Sequence, residues 1–217
     1  MQIDMHGQAI LDKNDRLAAE LRQQFADNHV FVVNLLASPG SGKTSTILAT
    51  IDALRDEFNI AVVEGDIAGS VDAETIKGQG IPAVQINTGG SCHLESDMLK
   101  RAVDVLDLER LDLIIVENVG NLVCTTDFDL GENAKVVILS VPEGDDKPLK
   151  YPGIFEAADA IVLNKWDTLP VFDFDRSAFT EAVRALNPKA PIIPIAATKG
   201  DGVDEWASWL AERVRQV

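Results

Sequence analysis

The sequence predicts an α/β sandwich of three layers, a mostly parallel sheet flanked by helices. Three observations lead there. Short runs rich in Val, Ile and Leu alternate with segments of helical period, the pattern that builds parallel sheets. The first of these runs ends in a glycine-rich turn that opens a helix. The 217 residues, 46% of them hydrophobic, suffice for one buried core and are short for two. Residues 1–217 therefore read as a single domain, with 1–28 as a leading helix and 30–217 as the core.

In residues 8–26, Ile10, Leu11, Leu17, Leu21 and Phe25 recur at helical intervals, giving an amphipathic helix that Asn28 helps to end. Residues 29–38 (HVFVVNLLAS) form a continuous apolar run, as in a strand covered on both faces. Pro39-Gly40-Ser41-Gly42 breaks it, and a helix is expected from Lys43 to about Phe58. Further strands are expected at Ile60–Val63, Ala83–Gln85, Leu113–Val116, Val136–Leu139, Ile161–Leu163 and Ile192–Pro194. Residues 95–107, 175–186 and 203–216 carry helical patterns between or after them, and no internal repeat or low-complexity tract is visible.

The formal charge of −16, from 35 acidic and 19 basic side chains, argues against nucleic acid and anionic membranes as partners. No apolar run is long enough for a membrane span, and residues 1–11 lack the basic-then-apolar shape of a signal peptide. Two cysteines do not make a disulfide framework, so the expected compartment is the cytoplasm.

Ala37-Ser38-Pro39-Gly40-Ser41-Gly42-Lys43-Thr44 lies between a strand and a helix. Such a phosphate-binding loop (P-loop) turns backbone N–H groups inward, where the helix N-terminus adds partial positive charge. Pro39, Gly40, Ser41, Gly42, Lys43, Thr44 and Ser45 are thus candidate nucleotide-binding residues. Lys43 would reach the β- and γ-phosphates, and Thr44 would ligate Mg²⁺. Ala37 stands where the strict pattern has glycine. Asn164-Lys165-Trp166-Asp167 follows a later strand, and the Asp167 carboxylate can accept from both guanine N1–H and its exocyclic amine. Ala197, in Ala196-Ala197-Thr198-Lys199, would offer backbone contact to the base, so the nucleotide is read as GTP or GDP. Asp66 and Glu117, at strand ends, are candidates for Mg²⁺, and Asp72 for sensing the γ-phosphate or placing water. The catalytic set is Lys43, Asp66, Asp72 and Glu117, with helix capping as the competing role for each carboxylate. No glutamine is placed to orient water, which predicts slow intrinsic turnover.

Cys92 and His93 sit in a glycine-rich turn before a helix, and Cys124 follows the strand that ends at Glu117. Two thiolates and an imidazole suit Ni²⁺ or Zn²⁺. Three ligands fall one short of a closed structural zinc site, so buried thiols with a capping histidine compete with a transient or shared metal site. His6 and His29 lie outside any ligand-like spacing.

These motifs together resemble the hydrogenase nickel-incorporation GTPases (HypB type) of the SIMIBI-class P-loop GTPases. The resemblance rests on Ser38 through Thr44, Gly65-Asp66, Asn87-Thr88-Gly89 with Cys92-His93, and Glu117 through Cys124. Phe128 through Glu132 and Glu143 through Pro152 extend it, from about Leu11 to the end. It implies a P-loop NTPase fold and a GTPase that forms a homodimer with GTP and handles nickel for [NiFe] hydrogenase maturation. By the same resemblance Cys92, His93 and Cys124 bind metal near the dimer interface, and Lys147 and Lys150 reach across it. A second nickel chaperone and the hydrogenase large subunit are the implied partners. The water-placing group stays open among Asp66, Asp72 and Lys147. The cysteine-rich or histidine-rich leading tract of some members is absent from the sequence, so nickel storage is not expected. Residues 67–73 lack the polar character expected before Asp72-Ala73, and Ser91 and Thr125-Thr126 are local variations. Two alternatives stand beside this reading. A urease-type nickel GTPase would carry Cys-Pro-His where Cys92-His93 stands, and a plain GTPase switch would have structural thiols.

Overall fold

The computed structural model describes residues 5–66, 76 and 78–217, with side chains from Leu11 onward. Asp72 and the rest of 67–75 lie outside the described residues. Among the described residues seven strands form one sheet: β1 (Phe31–Ala37), β2 (Ile60–Asp66), β3 (Ala83–Asn87), β4 (Leu113–Glu117), β5 (Ala134–Ser140), β6 (Ala160–Asn164) and β7 (Ile192–Pro194). Their order is β3-β2-β4-β1-β5-β6-β7, and every pairing is parallel. Every residue of β1, β4 and β6 is buried, which is why these strands read as unbroken apolar runs.

Alternate residues of each strand face opposite layers. On one face Val33, Leu35, Val62, Ile115 and Ile138 pack with Ile47 and Ile51 of the Lys43–Leu54 helix and Trp206 and Leu210 of the Val203–Val214 helix. Trp206 Nε1 donates to Thr50 Oγ1 at 2.7 Å and joins those two helices. On the other face Val32, Val63 and Val116 pack against Leu21 and Phe25 of the Met5–Asp27 helix and Leu99 of the Ser96–Val103 helix. Further along that face Leu36, Val137 and Ile161 meet Ile154, Phe155, Phe179 and Val183 from the Pro152–Glu156 and Arg176–Leu186 helices.

Several boundaries differ from those read off the pattern. The helix after the P-loop closes at Leu54, and Phe58 is held by a turn in which its N–H donates to Leu54 O. The next helix stops at Val103, where the Asp104 N–H caps onto Lys100 O. The short helices Lys147–Lys150 and Pro152–Glu156 carry too few turns to show a period in the sequence. The leading helix ends at Asp27, and the Asn28 side chain donates to Gln24 O at 2.8 Å. Among the described residues no helix is long and apolar enough to cross a membrane.

Candidate nucleotide and metal sites

Because all strands are parallel, Ala37, Asp66, Glu117 and Asn164 end at one edge of the sheet, the edge where α/β sheets bind ligands. The P-loop turns there through Gly40 at φ 79° and Gly42 at φ 94°, a region costly for any residue with a Cβ. A Cβ on Gly42 would also collide with the Asn164 amide, and one on Gly120 would sit 3.0 Å from the Pro39 ring. Lys43, Thr44 and Ser45 form the first turn of the following helix, so its free N–H groups face the loop.

The guanine-type motif is braced on this loop. Asn164, 2% exposed, donates to Ser41 O at 3.0 Å and accepts from Ala197 N–H at 3.2 Å. Lys165, in the left-handed region at φ 55°, donates from Nζ to Gly40 O at 2.7 Å. Asp167 pairs with Lys199 at 2.9 Å, and its carboxylate holds the Lys199 ammonium above the ordinary lysine range. Pro39, Gly40, Ser41, Gly42, Asn164, Lys165, Asp167 and Ala197 thus share one ridge, built from the ends of β1, β6 and β7.

Thr44 Oγ1 lies 3.4 Å from Glu117 Oε1. Glu117 stands in register with Glu64 on the neighbouring strand, and both are buried. Asp66 follows two residues later on the same face of β2, the face that carries the P-loop helix. Glu64 was given no role in the sequence, where it falls just past the strand expected at Ile60–Val63; the strand in fact runs to Asp66. The available signal was an ionisable residue amid a buried run, IAVVEGD. Glu143 is a second addition: its Oε2 accepts from the N–H and hydroxyl of Ser140, both at 2.7 Å, and its Oε1 from Ser38 Oγ. It thereby ties the entry of the P-loop to the end of β5.

Cys92, His93 and Cys124 come together, with one ligand atom from each lying within 4.8 Å of the others. The loop that leaves β3 turns through Gly89 and Gly90, both at positive φ, and is tied by Thr88 Oγ1 donating to Ser91 O at 2.9 Å. Cys124 begins a short 3-10 turn whose start is fixed by the Asn121 carboxamide, which accepts from the N–H of Val123 and of Cys124. His93 Nδ1 is 3.6 Å from Cys92 Sγ, and the ring stacks on Phe128 at 3.7 Å. Burial lowers the His93 pKa below its usual value, although Glu95 and Asp127 oppose this. A hydrogen bond with Cys124, and then burial, raise the Cys92 pKa. Two sulfurs and one imidazole nitrogen at this separation fit a divalent ion that accepts soft donors, and three protein ligands leave a position open for exchange. Binding would release a thiol proton.

The metal loop is fastened to the sheet. Leu94 packs where Gly65 has no side chain; a Cβ there would lie 2.7 Å from Leu94 carbons. Leu94 N–H donates to Asn118 Oδ1 at 3.1 Å. Asn118 is 1% exposed and donates from Nδ2 to Asn34 Oδ1 at 3.2 Å, and Asn34 donates to Glu132 Oε1 at 3.1 Å. Burial raises the Glu132 pKa despite Lys135 nearby.

Residues 31–194 match the family model described as the CobW/HypB/UreG nucleotide-binding domain. The hydrogenase maturation factor HypB of Azotobacter vinelandii is 51% identical over 208 residues, covering 96% of this chain and 68% of that protein. The crystal structure of HypB from Helicobacter pylori in complex with nickel superimposes with a TM-score of 0.90 at 41% identity, covering 94% of this chain and 96% of that one. HypB from Archaeoglobus fulgidus gives 0.87 at 37% identity, covering 94% and 99%. With a P-loop, an all-parallel sheet and these likenesses over nearly its whole length, the chain belongs to the HypB group of the CobW/HypB/UreG family.

Proposed function

We propose that the chain is a GTPase that binds nickel and serves nickel insertion during [NiFe] hydrogenase maturation, its metal grip set by the bound nucleotide. The observation that carries this reading is the cluster of Cys92, His93 and Cys124, built on the loops leaving β3 and β4 beside the strand ends that carry Asp66 and Glu117. A soft, three-donor site on such loops suits a cargo ion better than a permanent one.

In this reading Gly40, Ser41, Gly42 and the first turn at Lys43–Ser45 take the phosphates, and Asp167 reads guanine, with the backbone at Ala197 braced by Asn164 alongside the base. Lys43 balances charge on the β- and γ-phosphates. Thr44, Asp66 and Glu117 would hold Mg²⁺, which would supply further neutralisation of the phosphate charge. Asp72 remains a candidate for the water, with Asp66 and Lys147. Zn²⁺ is the alternative ion for the Cys92–His93–Cys124 site. A GTP-favoured homodimer, a second nickel chaperone and the hydrogenase large subunit belong to the same proposal. Thiols available to metal also favour a reducing compartment, the cytoplasm. The urease-type reading is not better supported: a Helicobacter pylori relative named a hydrogenase/urease maturation factor is 42% identical, against 51% for the Azotobacter vinelandii hydrogenase maturation factor.

The test is Ni²⁺ and Zn²⁺ titration of the purified chain with GDP and with a non-hydrolysable GTP analogue, repeated on the Cys92→Ala, Cys124→Ala double variant. Binding that shifts with nucleotide and disappears in the variant supports the proposal. Absence of binding in both nucleotide states leaves a GTPase switch with structural thiols.

A further inference from the structure

We infer that Asn118 is the positioning residue through which the nucleotide sets metal affinity, an inference that rests on the function proposed above. Glu117 and Asn118 are consecutive at the end of β4, so their side chains leave on opposite faces of the sheet. Glu117 points to the face of the P-loop helix, 3.4 Å from Thr44 Oγ1. Asn118 points to the other face and there accepts the Leu94 N–H, next to His93. A shift of the Glu117 backbone when its carboxylate changes partners must therefore move the acceptor that anchors the metal loop.

Two features make this link stiff. Asn118 Oδ1 also accepts its neighbour Val119 N–H at 2.9 Å, and Nδ2 is held by Asn34, so the amide cannot turn without giving up several bonds. Asn34 is itself oriented by Glu132, whose other oxygen accepts Leu130 N–H at 2.7 Å. The whole chain of contacts is buried, where an unmade hydrogen bond is costly. Leu94 is confined as well, seated against Gly65 one residue before Asp66. The loop carrying Cys92 and His93 is thus referenced to the ends of both β2 and β4, the strands that carry the proposed Mg²⁺ carboxylates. Cys124 lies on the same segment that leaves β4, so movement there alters the spacing of all three donors.

The experiment uses Ni²⁺ alone as probe. Its Kd is measured for the wild-type chain and for Asn118→Ala and Asn118→Ser, each saturated with GDP and with a non-hydrolysable GTP analogue. Guanine-nucleotide affinity and melting temperature are recorded for each protein. In the wild type the two Kd values are expected to differ by at least about five-fold, the lower end of common couplings. In both variants the ratio falls toward one while the variants still bind nucleotide and Ni²⁺. A ratio retained in folded, nucleotide-binding variants overturns the role of Asn118 and leaves the proposed function standing. A wild-type ratio of one removes the nucleotide-set grip and this inference with it. Should the variants not fold, hydrogen exchange of the Leu94 amide in the wild type decides. Protection that differs between GDP and the analogue supports the link, and identical protection overturns it.

Discussion

Replacing Asn164 by Ala should loosen the nucleotide ridge and the fold together. The side chain makes two bonds to parts of the chain more than thirty residues away in sequence, one to Ser41 O and one from Ala197 N–H. Both lie where water cannot substitute freely, since Asn164 and Ser41 are buried. Losing the pair and leaving a buried acceptor and a donor unmet costs about 2–4 kcal/mol. In a chain of this size that corresponds to a fall of about 4–16 °C in melting temperature, read by calorimetry or circular dichroism. GDP and GTP affinities should fall by the same factor, because the lost brace serves P-loop and base loop alike. Asn164→Asp offers a sharper check. It keeps the acceptor for Ala197 but turns a carboxylate toward Ser41 O, so it should be no more stable than the Ala variant. An Asp variant that melts with the wild type would refute the reasoning.

Three further outcomes are expected. Asp167→Asn should weaken GTP by about 10²-fold or more, the worth of a charge-assisted bond pair, while improving the xanthine nucleotide, whose C2 carbonyl can accept from the new amide; competition binding with GTP and XTP measures both. Trp206→Phe removes the bond to Thr50 and should cost about 1 kcal/mol in urea unfolding, with nucleotide affinity unchanged. Glu132 has a folded pKa raised above its ordinary value of 4.5, chiefly by burial, so its contribution to stability is complete below that value and is lost as pH rises through the folded pKa. Urea midpoints measured from pH 4 upward should show that loss, and Glu132→Gln should flatten it; an unchanged slope in the variant would assign the pH dependence to another group.

The fold was legible because its signals are local and strong. β1, β4 and β6 are buried on both faces, and burial of that kind leaves an unbroken apolar run in the sequence. The P-loop was legible because positive φ at Gly40 and Gly42 demands glycine at fixed spacing. Glu64 and Glu143 were not, since nothing in a sequence says which of 35 acidic residues stands in register with Glu117 or caps the turn beside Ser38. The helix ends at Leu54 and Val103 were overrun because helical period continues past the point where the chain turns away. The grouping of Cys92, His93 and Cys124 was legible from their places after strand ends and from the family resemblance; sheet order, which sets β2 alone between β3 and β4, is what brings them together.

The bonds around the ridge differ in stiffness, and that difference separates recognition from response. Asn164 on Ser41 and Ala197, and Lys165 on Gly40, fix the distance between the base-reading loop and the P-loop through bonds of 3.0, 3.2 and 2.7 Å. Groups so held are preorganised, and binding a base between them costs little further ordering. Thr44 and Glu117 touch at 3.4 Å, at the long end of hydrogen-bond distance, so this contact is the one that a nucleotide held at the P-loop as proposed would remake at low cost. In the proposed reading, recognition of guanine would then fall to the β6–β7 side, and response to the third phosphate to the β2–β4 side. The metal loop is anchored to that second side, through Leu94 on Asn118 and Gly65. In the proposed reading a nucleotide-dependent grip on metal needs no long-range path through the core: the strand end that would meet the γ-phosphate is the one that holds the metal loop.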